Sequence, residues 1–175
     1  MNGQDKVYRR PLDVRSCRGS GADPAARRDG KPVLSATGIG YRDAVTESVP
    51  TLVELPRPRA LTEAEHALMV RLVTFADVPS LSEQVATVRV VSTCDCGCAS
   101  VGLHTEGPQV PATAVARLSD TGRDDYFAVS ASDGGDVSLV LHVLSGFVGE
   151  LEIFAGQGVP VAAPHADTVI NIWIG

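Results

Sequence analysis

Apolar side chains recur every three or four positions from Ala64 through Leu68 and Leu72 to Phe75, and Met69 and Val73 widen the stripe. Glu65 and Arg71 read as lying off it. Ahead of the stripe stands Thr62-Glu63-Ala64-Glu65, the pattern of a capping box. There the threonine hydroxyl serves the Glu65 N–H and the Glu65 carboxylate reaches back. The spacing predicts a helix over 63–76. Asp77-Val78-Pro79 ends it, because proline disfavours helical backbone at the residue before it. Ser80-Leu81-Ser82-Glu83 repeats the capping pattern and predicts a short second helix running to Val85.

Beyond that point the period falls to two. The β-branched run 87–93 predicts a strand, Cys94 to Cys98 a turn-like break, and 100–104 a returning strand. Residues 105–110 read as a loop and 112–118 as a further strand. Residues 125–131 and 137–144 read as a hairpin around Asp133-Gly134-Gly135-Asp136. After the Ser145-Gly146 break, Glu150 to Phe154 alternates as a strand, and Gly156-Gln157-Gly158 turns the chain. A last strand over 168–173 closes the sheet or pairs with a partner's edge. Helices ahead of successive hairpins predict an α+β fold: one or two N-terminal helices packed on one face of a mostly antiparallel sheet of five to six strands.

Residues 1–58 show no sustained period, and Arg18 to Pro32 has too few apolar groups to offset the entropy of ordering. The expected organisation is a poorly ordered basic leader, 1–58, and a globular domain, 59–175. The apolar piece Val49 to Leu55 is the part of the leader able to dock as an extended strand.

Composition agrees with one domain: 175 residues, 44% hydrophobic and 21% charged, with aromatics at only 5%, so the core falls to Val, Leu, Ile and Ala. No apolar run reaches the ~18 residues of a membrane span. No apolar stretch near Met1 resembles a secretory signal, so the expected location is the cytoplasm. The net charge of −6 is unevenly divided. Residues 1–60 hold eleven bases against seven acids, a net of +4, and the remaining 115 hold four against fourteen, a net of −10. Such an acidic body repels polyphosphate, so a protein is the expected partner and nucleic acid and membranes are not.

The cysteine spacing adds the most distinctive chemistry. Cys94, Cys96 and Cys98 alternate, so on an extended segment their sulfurs share one side, and Gly97 relaxes the backbone between them. Thiolates suit Zn(II) or Cu(I), and His104 would complete a four-coordinate zinc site. Two other readings stand beside this one: a redox-active disulfide, and packing of small thiols in a tight corner, which ranks first. Cys17 lies apart, in the leader. A second cluster joins His142 to Glu150 and Glu152, a set able to serve hydrolysis or a metal; its simpler reading is the solvent face of a hairpin with Leu151 and Ile153 inward. His165 reads as an exposed loop residue and His66 as the edge of the helical stripe. There is no G-x-S-x-G elbow, dinucleotide fingerprint, P-loop, H-E-x-x-H or EF-hand pattern, which weighs against an enzyme.

From Arg57 onward three pieces stand in a recognisable order: Leu61-Thr-Glu-Ala-Glu-His-Ala-Leu68, the corner Cys94-Asp-Cys-Gly-Cys-Ala-Ser100, and Leu141-His-Val-Leu-Ser-Gly-Phe-Val-Gly-Glu-Leu-Glu-Ile-Phe154. This order resembles a group of small bacterial domains of unknown function, some similar to immunity-type proteins of toxin systems. Ala99 departs from the proline more usual in that pattern. The resemblance implies no catalytic residues; it implies an inhibitor-like role, in which an acidic face steers onto a basic partner. The first expectation is therefore a small cytoplasmic binding or interaction domain without a cofactor. The alternative is a zinc or copper metalloprotein organised by Cys94, Cys96, Cys98 and a histidine.

Overall fold

The computed structural model describes residues 51–156 and 160–175; the leader up to residue 50, Cys17 included, and residues 157–159, with them most of the expected Gly156–Gly158 turn, lie outside them. The chain runs β1 (Leu52–Arg59), α1 (Glu63–Ala76), α2 (Pro79–Thr87), β2 (Arg89–Cys94), β3 (Val101–His104), α3 (Ala112–Leu118), β4 (Tyr126–Ser132), β5 (Val137–Leu144), β6 (Phe147–Ala155) and β7 (Ile170–Ile174). All strands join one seven-stranded sheet, in the order β1-β2-β3-β6-β5-β4-β7, and every pairing is antiparallel.

The α+β class is as expected, with three corrections. The sheet has seven strands, not five to six, and a strand precedes the helices because Leu52–Arg59, mostly within the expected leader, pairs with β2. Residues 112–118, expected as a strand, form α3. Three alanines favour helix, Pro111 accepts from the Ala114 and Val115 N–H groups (2.8 and 3.0 Å), and Val115 is fully buried. The second helix is not capped through Ser80: its N-cap is Val78, and Pro79 supplies a pre-set first position whose missing N–H costs nothing there.

Helix α1 forms as its sequence dictates, with both halves of the Thr62–Glu65 capping box present. Its buried stripe is Leu68, Met69, Leu72, Val73 and Ala76, whereas Ala64 and His66 are exposed and Phe75 is 48% exposed. Glu65 belongs to the stripe and not off it: three, four and seven residues before Leu68, Met69 and Leu72, it points inward. Its burial is tolerated because Arg59 grips both carboxylate oxygens at 2.7 Å. Burial pushes the Glu65 carboxyl up, but Arg59 and the Thr62 N–H outweigh this and hold it below the ordinary value.

The helices cover one face of the sheet. Against them lie Phe127 and Val129 of β4, Leu139, Leu141 and Val143 of β5, and Leu151 and Ile153 of β6, all fully buried. Within this layer Gln84 of α2 is a fully buried amide. Its Nε2 donates to the carbonyls of Pro108 and Gly146 (2.7 and 2.8 Å), and its Oε1 accepts from Val148 N–H (2.9 Å). Three segments distant in sequence are thus tied by one side chain.

The β5–β6 turn is Ser145-Gly146, with φ of 50° and 79°, the geometry of a type I′ hairpin. A Cβ on Gly146 would run into the Val110 carbonyl oxygen, so glycine is required twice over. Shortly after the turn the register shifts: Val143 pairs with Val148, but His142 pairs with Glu150, leaving Gly149 as a bulge. Were the pairing regular through Gly149, Glu150 would oppose Leu141 and face the core. Among the described residues no helix is long and apolar enough to cross a membrane.

Candidate functional site

The β2–β3 connection is a corner built from both strand ends. Cys94 N–H donates to Ser100 O (3.2 Å), and Gly97 N–H closes toward Cys94 O (3.4 Å) with Gly97 at φ 81°. Asp95 is clamped to the start of β1: its carboxylate accepts from Thr51 N–H (2.8 Å) and Thr51 Oγ1 (2.9 Å), while its own N–H donates to Thr51 O (3.0 Å). On the other side, Ala99 N–H donates to Val161 O (2.9 Å).

This turn gathers three sulfurs. Cys94 Sγ and Cys96 Sγ are 3.0 Å apart, and all three Sγ atoms lie within 4.8 Å of one another. They converge because the chain wraps around Gly97, not because an extended segment aligns them. All three are free thiols; Cys94 and Cys96 are half-buried and Cys98 is buried. The Cys98 thiol donates to Ser100 Oγ (3.3 Å), which in turn bridges the Ile153 backbone, accepting from its N–H (2.8 Å) and donating to its carbonyl (3.1 Å). Sequence reasoning missed Ser100 as the residue that fixes Cys98 to β6; its signal was the alternate position after the last cysteine.

The three thiols are not equivalent. Burial pushes the Cys94 thiol well above its ordinary value, and donation toward its neighbours keeps it protonated. Burial also opposes ionisation of Cys98, but Ser100 and the two flanking thiols turn toward that sulfur and bring it below its ordinary value. Ionisation is therefore easier at Cys98 than at Cys94.

His104, expected as a fourth ligand, is not brought to the corner. It is exposed at the far end of β3, where it pairs with Arg89, while Cys94 ends β2 on the opposite side. Five residue steps along β2 separate the two positions, about 16 Å at ~3.3 Å per residue. Among the described residues the only metal-type grouping is the three cysteines.

A second polar cluster lies on the sheet face away from the helices. Register aligns Ala128, His142, Glu150, Gly102 and Ser92 across β4, β5, β6, β3 and β2. His142 is fixed from both sides, Nε2 lying 3.2 Å from Glu152 Oε2 and Nδ1 2.9 Å from the Tyr126 hydroxyl. Leu151 and Ile153 do point inward, but Glu150 is not a solvated surface acid, since it is only 8% exposed. Burial raises its carboxyl above the ordinary value; His142 works against this and the Glu152 charge adds to it. Burial and the Glu152 charge likewise keep the Tyr126 phenol protonated, Arg123 opposing. His165 is an exposed residue before a short 3-10 turn, as expected.

No family model, curated protein or solved structure matches the chain.

Proposed function

We propose that this chain binds a soft, thiophilic metal ion, Cu(I) or Zn(II), through Cys94, Cys96 and Cys98. The observation that carries this reading is the convergence of the sulfurs. Three thiolates around an ion with metal–sulfur bonds of about 2.3 Å sit about 3.8 Å apart, and the corner already holds its sulfurs between 3.0 Å and 4.8 Å of one another. Three thiolates fill a trigonal Cu(I) shell and leave one position open on tetrahedral Zn(II). The site needs its sulfurs reduced, the state that a reducing cytoplasm maintains.

The test is anaerobic titration of reduced full-length protein with Cu(I) and with Zn(II), each against a chromogenic chelator. One ion per chain with a sulfur-to-metal charge-transfer band is expected, and single serine variants at 94, 96 or 98 should each weaken binding by at least about tenfold. Substoichiometric loading, or loading unchanged in the Cys94→Ser, Cys96→Ser, Cys98→Ser triple variant, would refute the reading.

A second reading, an interaction module for a basic protein, is favoured by Val70 and Phe75, which α1 leaves 42% and 48% exposed beside an acidic body. On this reading Phe75→Ser abolishes a stoichiometric complex that Cys98→Ser leaves intact; the reverse pattern excludes it.

A further inference from the structure

We propose that the open sheet face around Glu150 is a binding site for a guanidinium group, separate from the thiol corner. The Gly149 bulge turns Glu150 out of the core and sets it opposite His142, with Glu152 two residues further on the same face. Glu150 is 92% buried as a residue, yet among the described residues no hydrogen bond reaches its carboxylate. Its oxygens are not sealed off, since no fully buried side-chain oxygen among the described residues lacks a partner. A carboxylate nearly stripped of water and left without a donor is costly unless something supplies one.

The neighbouring residues limit what that donor is. Both ring nitrogens of His142 are already committed, to Tyr126 and Glu152, so a metal ion would have to break that relay to gain a nitrogen ligand. An organic cation carries its own N–H groups and leaves the relay intact. Residues 51–175 hold six bases against fifteen acids, a net of −9, which draws cations to the face. Guanidinium fits better than ammonium for two reasons. Its planar fork can donate to Glu150 and Glu152 together, and the adjoining Tyr126 ring already receives one such group, Arg123, at 5.3 Å.

The probes are agmatine for a free small guanidine, tetra-arginine peptide for a protein-borne one, and cadaverine for a matched ammonium. Each is titrated into the ¹⁵N-labelled full chain with amide shifts followed at Gly102, His142 and Glu150. Saturable shifts with agmatine are expected, weakened about tenfold or more in Glu150→Gln and less in Glu152→Gln, with thiol-corner resonances unmoved. Saturation by the peptide alone, with the same dependence on Glu150, supports the site and assigns its ligand to a protein. Equal affinity for cadaverine overturns the guanidinium assignment. No saturation by any probe, or undiminished binding in both variants while each keeps the wild-type spectrum elsewhere, overturns the site.

Discussion

Gln84→Met removes an amide from the interior while nearly keeping its volume, so it separates hydrogen bonding from packing. Three backbone groups lose their Gln84 partner, with unequal consequences. Gly146 O keeps a donor, Val110 N–H at 2.9 Å, whereas Pro108 O and Val148 N–H have Gln84 as their partner. Each buried group left unsatisfied costs about 1–3 kcal/mol, so the variant should lose about 2–6 kcal/mol. Against a typical total of roughly 5–15 kcal/mol, that is a large fraction. The assay is urea unfolding followed by far-UV circular dichroism, and the expected result is a lower midpoint with unchanged slope. Gln84→Glu distinguishes the roles: it can still accept from Val148 N–H but donates to neither carbonyl when ionised, so it should be worse than Met at neutral pH and approach it in acid. A loss of less than about 0.5 kcal/mol in Gln84→Met, comparable to an ordinary surface substitution, would refute the view that this amide is the tie between α2, the loop before α3 and the β5–β6 hairpin.

Two further outcomes follow from local geometry. Because the Glu65 carboxyl is held below its ordinary value in the folded chain, its contribution is present above about pH 4.3 and is lost as pH falls through the folded value. Glu65→Gln should therefore be less stable than wild type at pH 7, with the gap closing in acid, as read from thermal melts at stepped pH; a constant gap would contradict this. Gly146→Ala combines a positive φ with a Cβ driven against Val110 O. A loss of at least about 1 kcal/mol in chemical denaturation is expected; unchanged stability would show that the hairpin relaxes freely.

Period carried most of the fold. The 3.6-residue stripe of α1 and the alternation of β4, β5 and β6 reflect burial against a single layer, which leaves a plain imprint on residue order. The errors arose either where a partner on another element decided a side chain's place or where local propensity outweighed apolar pattern. Glu65 looked like a surface acid because the pairing Arg59 lies on a different element. Residues 112–118 looked like a strand because alanine is apolar under either period, and its helical preference decided the matter. Three of the four expected ligands were legible: the cysteine spacing announced the three sulfurs, but His104 is near in sequence and far along the sheet. Ser100 and Gly149 act through backbone register, and a change of one position there moves a side chain from one face to the other without altering composition.

The clamp between Thr51 and Asp95 makes the thiol corner a reporter of what happens upstream. β1 is an edge strand, held by β2 on one side only, and edges open at lower free energy than the middle of a sheet. When Thr51, just ahead of β1, peels away, Asp95 of the sulfur loop loses three hydrogen bonds together. On the proposed metal-binding reading, release of the ion requires only a local fray and not global unfolding, and tension or a bound partner on the preceding chain would set how often that fray occurs.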